Sequence, residues 1–89
     1  MPLVRFTQNL QRHVACPPVD VPGATVRELL DRAFEGNPQA RGYILDDQGG
    51  VRTHIVIFVD GQPVRDRRQL SDPVAPQAAV DVMQALSGG

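Results

Sequence analysis

The chain has 89 residues, with nine basic and ten acidic side chains and a formal net charge of -1. This length fits one small domain and excludes a cofactor-binding fold joined to a substrate-binding fold. The balanced charge gives no reason to expect a nucleic acid or an anionic membrane as a partner, and no apolar stretch approaches a membrane span. Because the single cysteine, Cys16, cannot form an internal disulfide and residues 1–6 do not resemble a signal peptide, we expect a cytoplasmic protein.

The N-terminal part of the chain predicts two strands that pair as a hairpin. Val4 and Phe6 alternate with polar residues, which is typical of a strand with one buried face. A second, shorter alternation at Val19 and Val21 follows a pair of prolines that interrupts the chain.

A helix is predicted to begin at Val26. Thr25 and Glu28 have the spacing of a capping box, in which the Thr25 hydroxyl accepts the Glu28 backbone N–H and the Glu28 side chain accepts the Thr25 backbone N–H. Apolar residues then recur at the spacing of one helical face: Val26, Leu29, Leu30, Ala33 and Phe34. The sequence Gly36-Asn37-Pro38 indicates that the helix ends there.

The second half of the chain predicts further strands joined by turns. Residues 51–59 are rich in β-branched side chains and give the strongest strand pattern. We expect residues 43–45 to lead into a polar turn at 46–50, so that residues 43–52 form a hairpin. Asp60 and Gly61 indicate a tight hairpin turn. A return strand at Val64, an irregular turn at 70–73 and a final strand at 79–85 complete the prediction.

The order of these elements indicates a topology. A closing strand placed beside the first strand would run parallel to it, with the helix crossing one face of the sheet in the right-handed sense. We therefore predict an α+β fold of the β-grasp, ubiquitin-like type, with a mixed four- to five-stranded sheet packed on one main helix. Residues 1–86 would form this domain, and residues 87–89 would form a flexible tail.

The sequence ends in Gly88 and Gly89. Two residues without Cβ allow an extended backbone to enter a slot too narrow for side chains, and they leave the last carbonyl open to attack from either side. We therefore expect the terminal carboxylate of Gly89 to be the reacting group, with Gly88 giving access to it.

Several segments of the second half carry a family resemblance: Ile57-Phe58-Val59-Asp60-Gly61, Leu70-Ser71-Asp72-Pro73, Val80-Asp81-Val82-Met83 and the final Gly88-Gly89. In these segments the chain resembles the MoaD/ThiS family of ubiquitin-like sulfur carriers. The family includes the small subunit of molybdopterin synthase, the thiamine sulfur carrier and a carrier used in cysteine synthesis. The resemblance covers most of the chain and is most specific in its last third.

The resemblance implies a carrier substrate rather than an enzyme. In the family, an adenylyltransferase of the ubiquitin-activating type uses ATP to turn the terminal carboxylate, here that of Gly89, into an acyl-adenylate. A persulfide sulfur donor then supplies the sulfur of a thiocarboxylate, which a downstream sulfur-accepting synthase uses in cofactor or metabolite biosynthesis. This chain has no G-x-x-x-x-G-K-[ST] phosphate loop, and we expect it to bind no nucleotide, cofactor or metal itself.

Strand alternation predicts where a partner enzyme would dock. Val56, Phe58 and Met83 are expected to face away from the helix and to form an apolar patch near the tail. Leu86 and Ser87 would extend this patch as the tail leaves the sheet. Exposed apolar patches often mark partner sites, so we predict that these residues bind the partner protein.

Two other functions stay open. The activated Gly89 could be transferred to lysines of target proteins, which would make the chain a ubiquitin-like protein modifier, or the domain could be an interaction module with an idle tail. All nine basic residues are arginine, which excludes chains of this protein linked through lysine. The charged run at residues 65–68 is interpreted as a solvated edge, with steering of a partner as the alternative.

Overall fold

A mixed sheet of five strands forms the centre of the computed structural model, which describes residues 1–85. In chain order the strands are β1 (Leu3–Phe6), β2 (Val19–Asp20), β3 (Ile55–Val59), β4 (Gln62–Pro63) and β5 (Ala79–Gln84). The helices are α1 (Gln8–Gln11), α2 (Val26–Ala33) and α3 (Pro38–Ile44). Residues 86–89 lie outside the described part, so the domain boundary after residue 86 and the tail at 87–89 stay predictions.

The strand order β2-β1-β5-β3-β4 confirms the predicted topology. β5 pairs in parallel with β1 on one side and antiparallel with β3 on the other. β2 pairs antiparallel with β1, with Val19 opposite Val4, as expected for the N-terminal hairpin. The last strand of the chain therefore lies at the centre of the sheet.

Helix α1, between β1 and β2, was not expected from the sequence. It supplies Leu10, which is fully buried. Four residues are too few to show a helical periodicity, so no pattern of apolar residues predicts this turn of helix.

Helix α2 begins at Val26, as predicted, and Thr25 Oγ1 accepts the Glu28 backbone N–H at 3.3 Å. The second hydrogen bond of the predicted capping box, from the Thr25 backbone N–H to the Glu28 side chain, does not form. The Glu28 carboxylate accepts the backbone N–H of Ala24 at 2.9 Å instead of that of Thr25. The glutamate thus caps the chain one residue earlier, just before Thr25 enters an isolated β-bridge with Pro73.

Helix α3 corrects the prediction for residues 37–45. The Asn37 side chain accepts the Ala40 backbone N–H at 3.2 Å, and Pro38 occupies the first turn. Asparagine at the N-cap followed by proline is a helix-start signal as well as a stop signal. Helix α2 already ends at Ala33, with Phe34 as its C-cap, so Asn37 and Pro38 begin the next helix. Tyr43 therefore lies in a helix rather than at the start of a hairpin.

The predicted strand at residues 51–59 is shorter than expected. Val51 forms only an isolated bridge with Leu45, which is what remains of the hairpin predicted over residues 43–52. The Arg52 backbone N–H donates to the Ile44 carbonyl at the end of α3 at 3.1 Å. This bond belongs to the same bridge, and the Ile55 backbone N–H then donates to the Arg52 carbonyl at 3.0 Å, which closes a turn before β3 begins at Ile55.

The turn between β3 and β4 is the tight one predicted. Asp60 and Gly61 both have positive φ, 49° and 85°, which matches the twist of a two-residue hairpin. The Asp60 carboxylate also accepts the Ala79 backbone N–H at 2.9 Å, so the turn is tied to the start of β5.

The core lies between one face of the sheet and the helices. Ile55 and Ile57 of β3 and Val80 and Val82 of β5 are fully buried, as the alternation predicts. Burial of each such side chain contributes about 1.5 to 3 kcal/mol, and this fixes which face of the sheet points outward. Within residues 1–85, the helices are too short or too polar to cross a membrane.

Candidate functional site

The end of β5 is the described strand end that lies nearest in sequence to the predicted reacting group. β5 ends at Gln84, between β1 and β3, and Ala85 is the last described residue. Four predicted site residues lie outside the described part, and their roles stay predictions: Leu86, Ser87, Gly88 and Gly89.

The structure places the three remaining predicted residues on the outward face of β3 and β5. We call Val56, Phe58 and Met83 the open-face patch. Val56 lies directly opposite Met83, whereas Phe58 lies opposite Asp81. All three side chains are partly buried rather than fully exposed. The face predicted for docking is therefore assembled, and docking itself stays a prediction.

An ion pair borders the open-face patch. The Arg5 guanidinium donates two hydrogen bonds to the Asp81 carboxylate, from Nε at 2.7 Å and from an Nη at 3.0 Å. The side-chain hydrogen bond with Asp81, followed by its charge, raises the pKa of Arg5. Arg5 and Asp81 are register partners in the parallel β1–β5 pair, so this contact follows from the register of two strands, which the sequence did not reveal although it predicted their pairing.

A group of polar and aromatic side chains surrounds the end of β5, and the sequence reasoning missed it. Tyr43 Oη donates to Gln84 Oε1 at 3.0 Å. The Tyr43 ring lies against His13 and His54, and the Ala85 backbone N–H donates to the His54 carbonyl at 2.8 Å. A mainly apolar hollow of about 450 Å³ lies nearby and is lined by Thr7, Asn9, Met83, Gln84 and Ala85.

The charged run at residues 65–68 is mostly an internal loop network. The Asp66 carboxylate accepts the Ser71 hydroxyl at 2.6 Å and the Gln69 backbone N–H at 2.9 Å. These hydrogen bonds, with that of the Ser71 hydroxyl the largest effect, lower the pKa of Asp66 to about 2. Arg67 donates to two backbone carbonyls, while Arg65 and Arg68 remain exposed. Only the last two resemble the solvated edge that the sequence suggested.

The thiol and the histidines do not form a metal site. Across residues 1–85, no three side chains of His, Cys, Asp or Glu come together in a way that could hold a metal ion. Cys16 is buried, its Sγ donates to the Val14 carbonyl at 3.2 Å, and burial raises the pKa of the thiol. A raised pKa reduces the thiolate fraction, which is the reactive form.

The fold and the position of its last strand define a ubiquitin-like protein of the β-grasp class. A model of the ThiS family matches residues 11–89. The chain belongs to the ThiS family, which supports a role as a ubiquitin-like sulfur carrier or modifier. No curated protein matches the chain in sequence.

Solved structures of similar fold span nearly the whole chain. A chain of the BexX/CysO complex from Amycolatopsis orientalis is 21% identical, with a TM-score of 0.81 and 100% of both chains covered. SAMP1 from Haloferax volcanii is 25% identical, with a TM-score of 0.76 and coverage of 99% of this chain and 98% of SAMP1. CysO from Mycobacterium tuberculosis is 18% identical, with a TM-score of 0.79 and coverage of 97% and 100%. The two structures with less than 25% identity, that of the BexX/CysO complex and that of CysO, establish similarity of fold only.

Proposed function

We propose that this protein is a small sulfur carrier whose Gly89 carboxylate is adenylated by a partner enzyme and converted into a thiocarboxylate. The observation that carries the proposal is the position of β5, the central strand, which ends at Gln84, with three residues between it and Gly88-Gly89 in the sequence. β5 is paired on both sides, so the tail would leave from a firmly held point. The ThiS family match includes both glycines and supports the same reading.

The chemistry requires a partner because a carboxylate is a poor electrophile. One oxygen of the Gly89 carboxylate would attack the α-phosphorus of ATP and release pyrophosphate, leaving an acyl-adenylate. A persulfide would displace AMP at the carbonyl carbon, and a thiol would cleave the resulting acyl disulfide to leave the thiocarboxylate. ATP is thus used by the partner, and this chain is consumed and recharged rather than acting as a catalyst.

Three kinds of partner follow from this scheme. They are an adenylyltransferase of the ubiquitin-activating type, a persulfide sulfur donor and a downstream sulfur-accepting synthase, for which this chain would serve as the small subunit. We propose the open-face patch as their docking surface, because Met83 lies one residue from the end of β5 and apolar surface is a common basis of protein association. Because the scheme uses ATP, we propose that the reaction takes place in the cytoplasm.

A second function, attachment of Gly89 to lysines of target proteins, is supported by one comparison. SAMP1 from Haloferax volcanii is 25% identical to this chain, and the name SAMP1 stands for small archaeal modifier protein 1. Carrier and modifier share the adenylation step and differ in the nucleophile that attacks the activated carbonyl. Sulfur attacks in the first case, and a lysine amine attacks in the second.

Adenylation is tested by ATP–pyrophosphate exchange with an adenylyltransferase of this type from the same cells. The proposal predicts exchange that depends on the carrier and is abolished by deletion of Gly89. Exchange that is absent with the intact chain, or that is unchanged by the deletion, would contradict both the carrier and the modifier function. Addition of a persulfide donor or of a lysine acceptor then distinguishes the two.

A further inference from the structure

Tyr43 connects the end of α3 with the end of the central strand. Its Oη donates to Oε1 of Gln84, the last residue of β5, at 3.0 Å. The two residues are 41 positions apart in sequence, and both side chains are partly buried. The bond therefore holds the strand end from outside the ladder of the sheet.

The Tyr43 ring is itself held on two sides. The His13 ring stacks on it with centroids 5.7 Å apart and planes at 14°. The His54 ring meets it edge-on at 5.6 Å and 90°. Both arrangements are favourable for aromatic pairs, and together they restrict the positions that the phenol can adopt.

His54 also holds the backbone beyond the strand. Its carbonyl accepts the Ala85 N–H at 2.8 Å, which continues the β3–β5 ladder one residue past Gln84. Gln84 is thus held by a side-chain hydrogen bond from Tyr43, and Ala85 is held by a backbone hydrogen bond to His54, whose ring packs against Tyr43. Partly exposed hydrogen bonds of this kind add little to global stability, but they fix the chain locally.

We propose that Tyr43 is a positioning residue for the tail: it prevents the end of β5 from fraying, so that Gly89 starts from a fixed point when an activating enzyme acts on it. This inference rests on the proposed function. If β5 frayed by one residue, the free segment would lengthen by about 3.4 Å and one more residue would have to be ordered in the enzyme. Small misplacements of a reacting group slow a reaction strongly.

The test is the Tyr43→Phe variant, which keeps the ring and removes only the hydroxyl. Loss of one hydrogen bond should increase the rate of amide hydrogen exchange at Ala85 by about 2- to 13-fold, with little change in thermal unfolding. In ATP–pyrophosphate exchange, kcat should fall by a similar factor while KM for the carrier stays unchanged, because the docking surface is intact. Gln84→Met should give the same effects, and the double variant should be no worse than either single one.

Gln62→Met on β4 is the matched control, since it makes the same substitution on an exposed edge strand. It should change neither the exchange rate of the Ala85 amide nor kcat in ATP–pyrophosphate exchange. Unchanged Ala85 exchange in Tyr43→Phe would overturn the proposal. Faster amide exchange at Ala85 with an unchanged kcat of adenylation would also overturn the proposal, since Tyr43 would then have only a structural role. If the wild-type chain supports adenylation and the variant equals it, the positioning role alone fails. If the wild-type chain is not adenylated, the proposed function fails and this inference fails with it.

Discussion

Val56 on β3 lies directly opposite Met83 on β5, on the outward face of the sheet and close to the point where the central strand ends. Side chains in such a cross-strand pair contact each other and form a continuous surface. Phe58, two residues further along β3, extends this surface beside the Arg5–Asp81 ion pair.

A charge placed in the open-face patch should weaken partner binding. We expect Phe58→Asp to raise KM for the carrier in adenylation by at least about tenfold, because a carboxylate at an apolar interface must be desolvated. kcat at saturating carrier should change much less. Gln62→Asp, which adds the same charge to exposed β4, is the control. An unaltered KM in Phe58→Asp would exclude the patch as the docking surface.

The tail should tolerate no side chain at its penultimate position. Gly88→Ala is expected to block or strongly slow formation of the acyl-adenylate, because a narrow slot around an extended backbone has no room for Cβ. Gly36→Ala is the matched control, since no atom lies within 4 Å of the Cβ that it would add. Full adenylation of Gly88→Ala would contradict the requirement for glycine at this position, and a Gly88→Ala variant that changes no activity of the protein would favour an interaction module whose tail is idle.

Asp66 makes the stability of the folded protein depend on pH in the acid range. Its folded-state pKa is about 2, below the ordinary value of 3.8, so its stabilising effect is present above about pH 4 and is lost as the pH falls toward 2. We expect Asp66→Asn to lower the melting temperature at pH 7 and to approach the wild type near pH 2. Thermal unfolding across this range measures the difference. Asp47→Asn, in an exposed turn, should show no comparable trend, and a parallel shift at every pH in Asp66→Asn would contradict the assignment.

Arg27 should matter for stability although it is a surface residue of a helix. Its guanidinium donates to the carbonyls of Gly49, Arg68 and Gln69, which joins α2 to two loops. Arg27→Met should reduce the free energy of unfolding by roughly 1 to 3 kcal/mol, since it leaves these carbonyls without a charged donor. Urea unfolding measures the loss. Arg32→Met on the exposed side of α2 should cost much less, and equal losses would contradict the role of the loop contacts.

The sequence was sufficient for the elements whose side chains repeat with a clear period. The alternation in β3 and β5 and the apolar stripe of α2 determine which residues are buried, and these predictions are confirmed. α3 was missed because Asn37 and Pro38 can end a helix or begin one, and local sequence does not decide between the two. Only the position of the preceding helix decides it.

The surroundings of the candidate site were less predictable than the site itself. The open-face patch follows from alternation along single strands. The Tyr43–Gln84 bond joins residues 41 positions apart, and the Arg5–Asp81 pair joins residues 76 positions apart. The first contact depends on how α3 packs and the second on the register between β1 and β5, and neither is encoded in a local pattern.

The central claim is the chemical state of Gly89, and the most direct test is the intact mass of the protein isolated from its own cells, with fragmentation of the C-terminal peptide. We predict that a fraction of the chains carries sulfur in place of one oxygen at Gly89. Chains with an unmodified terminus, found together with Gly-Gly remnants of this protein on lysines of other proteins, would contradict the carrier function and establish the modifier.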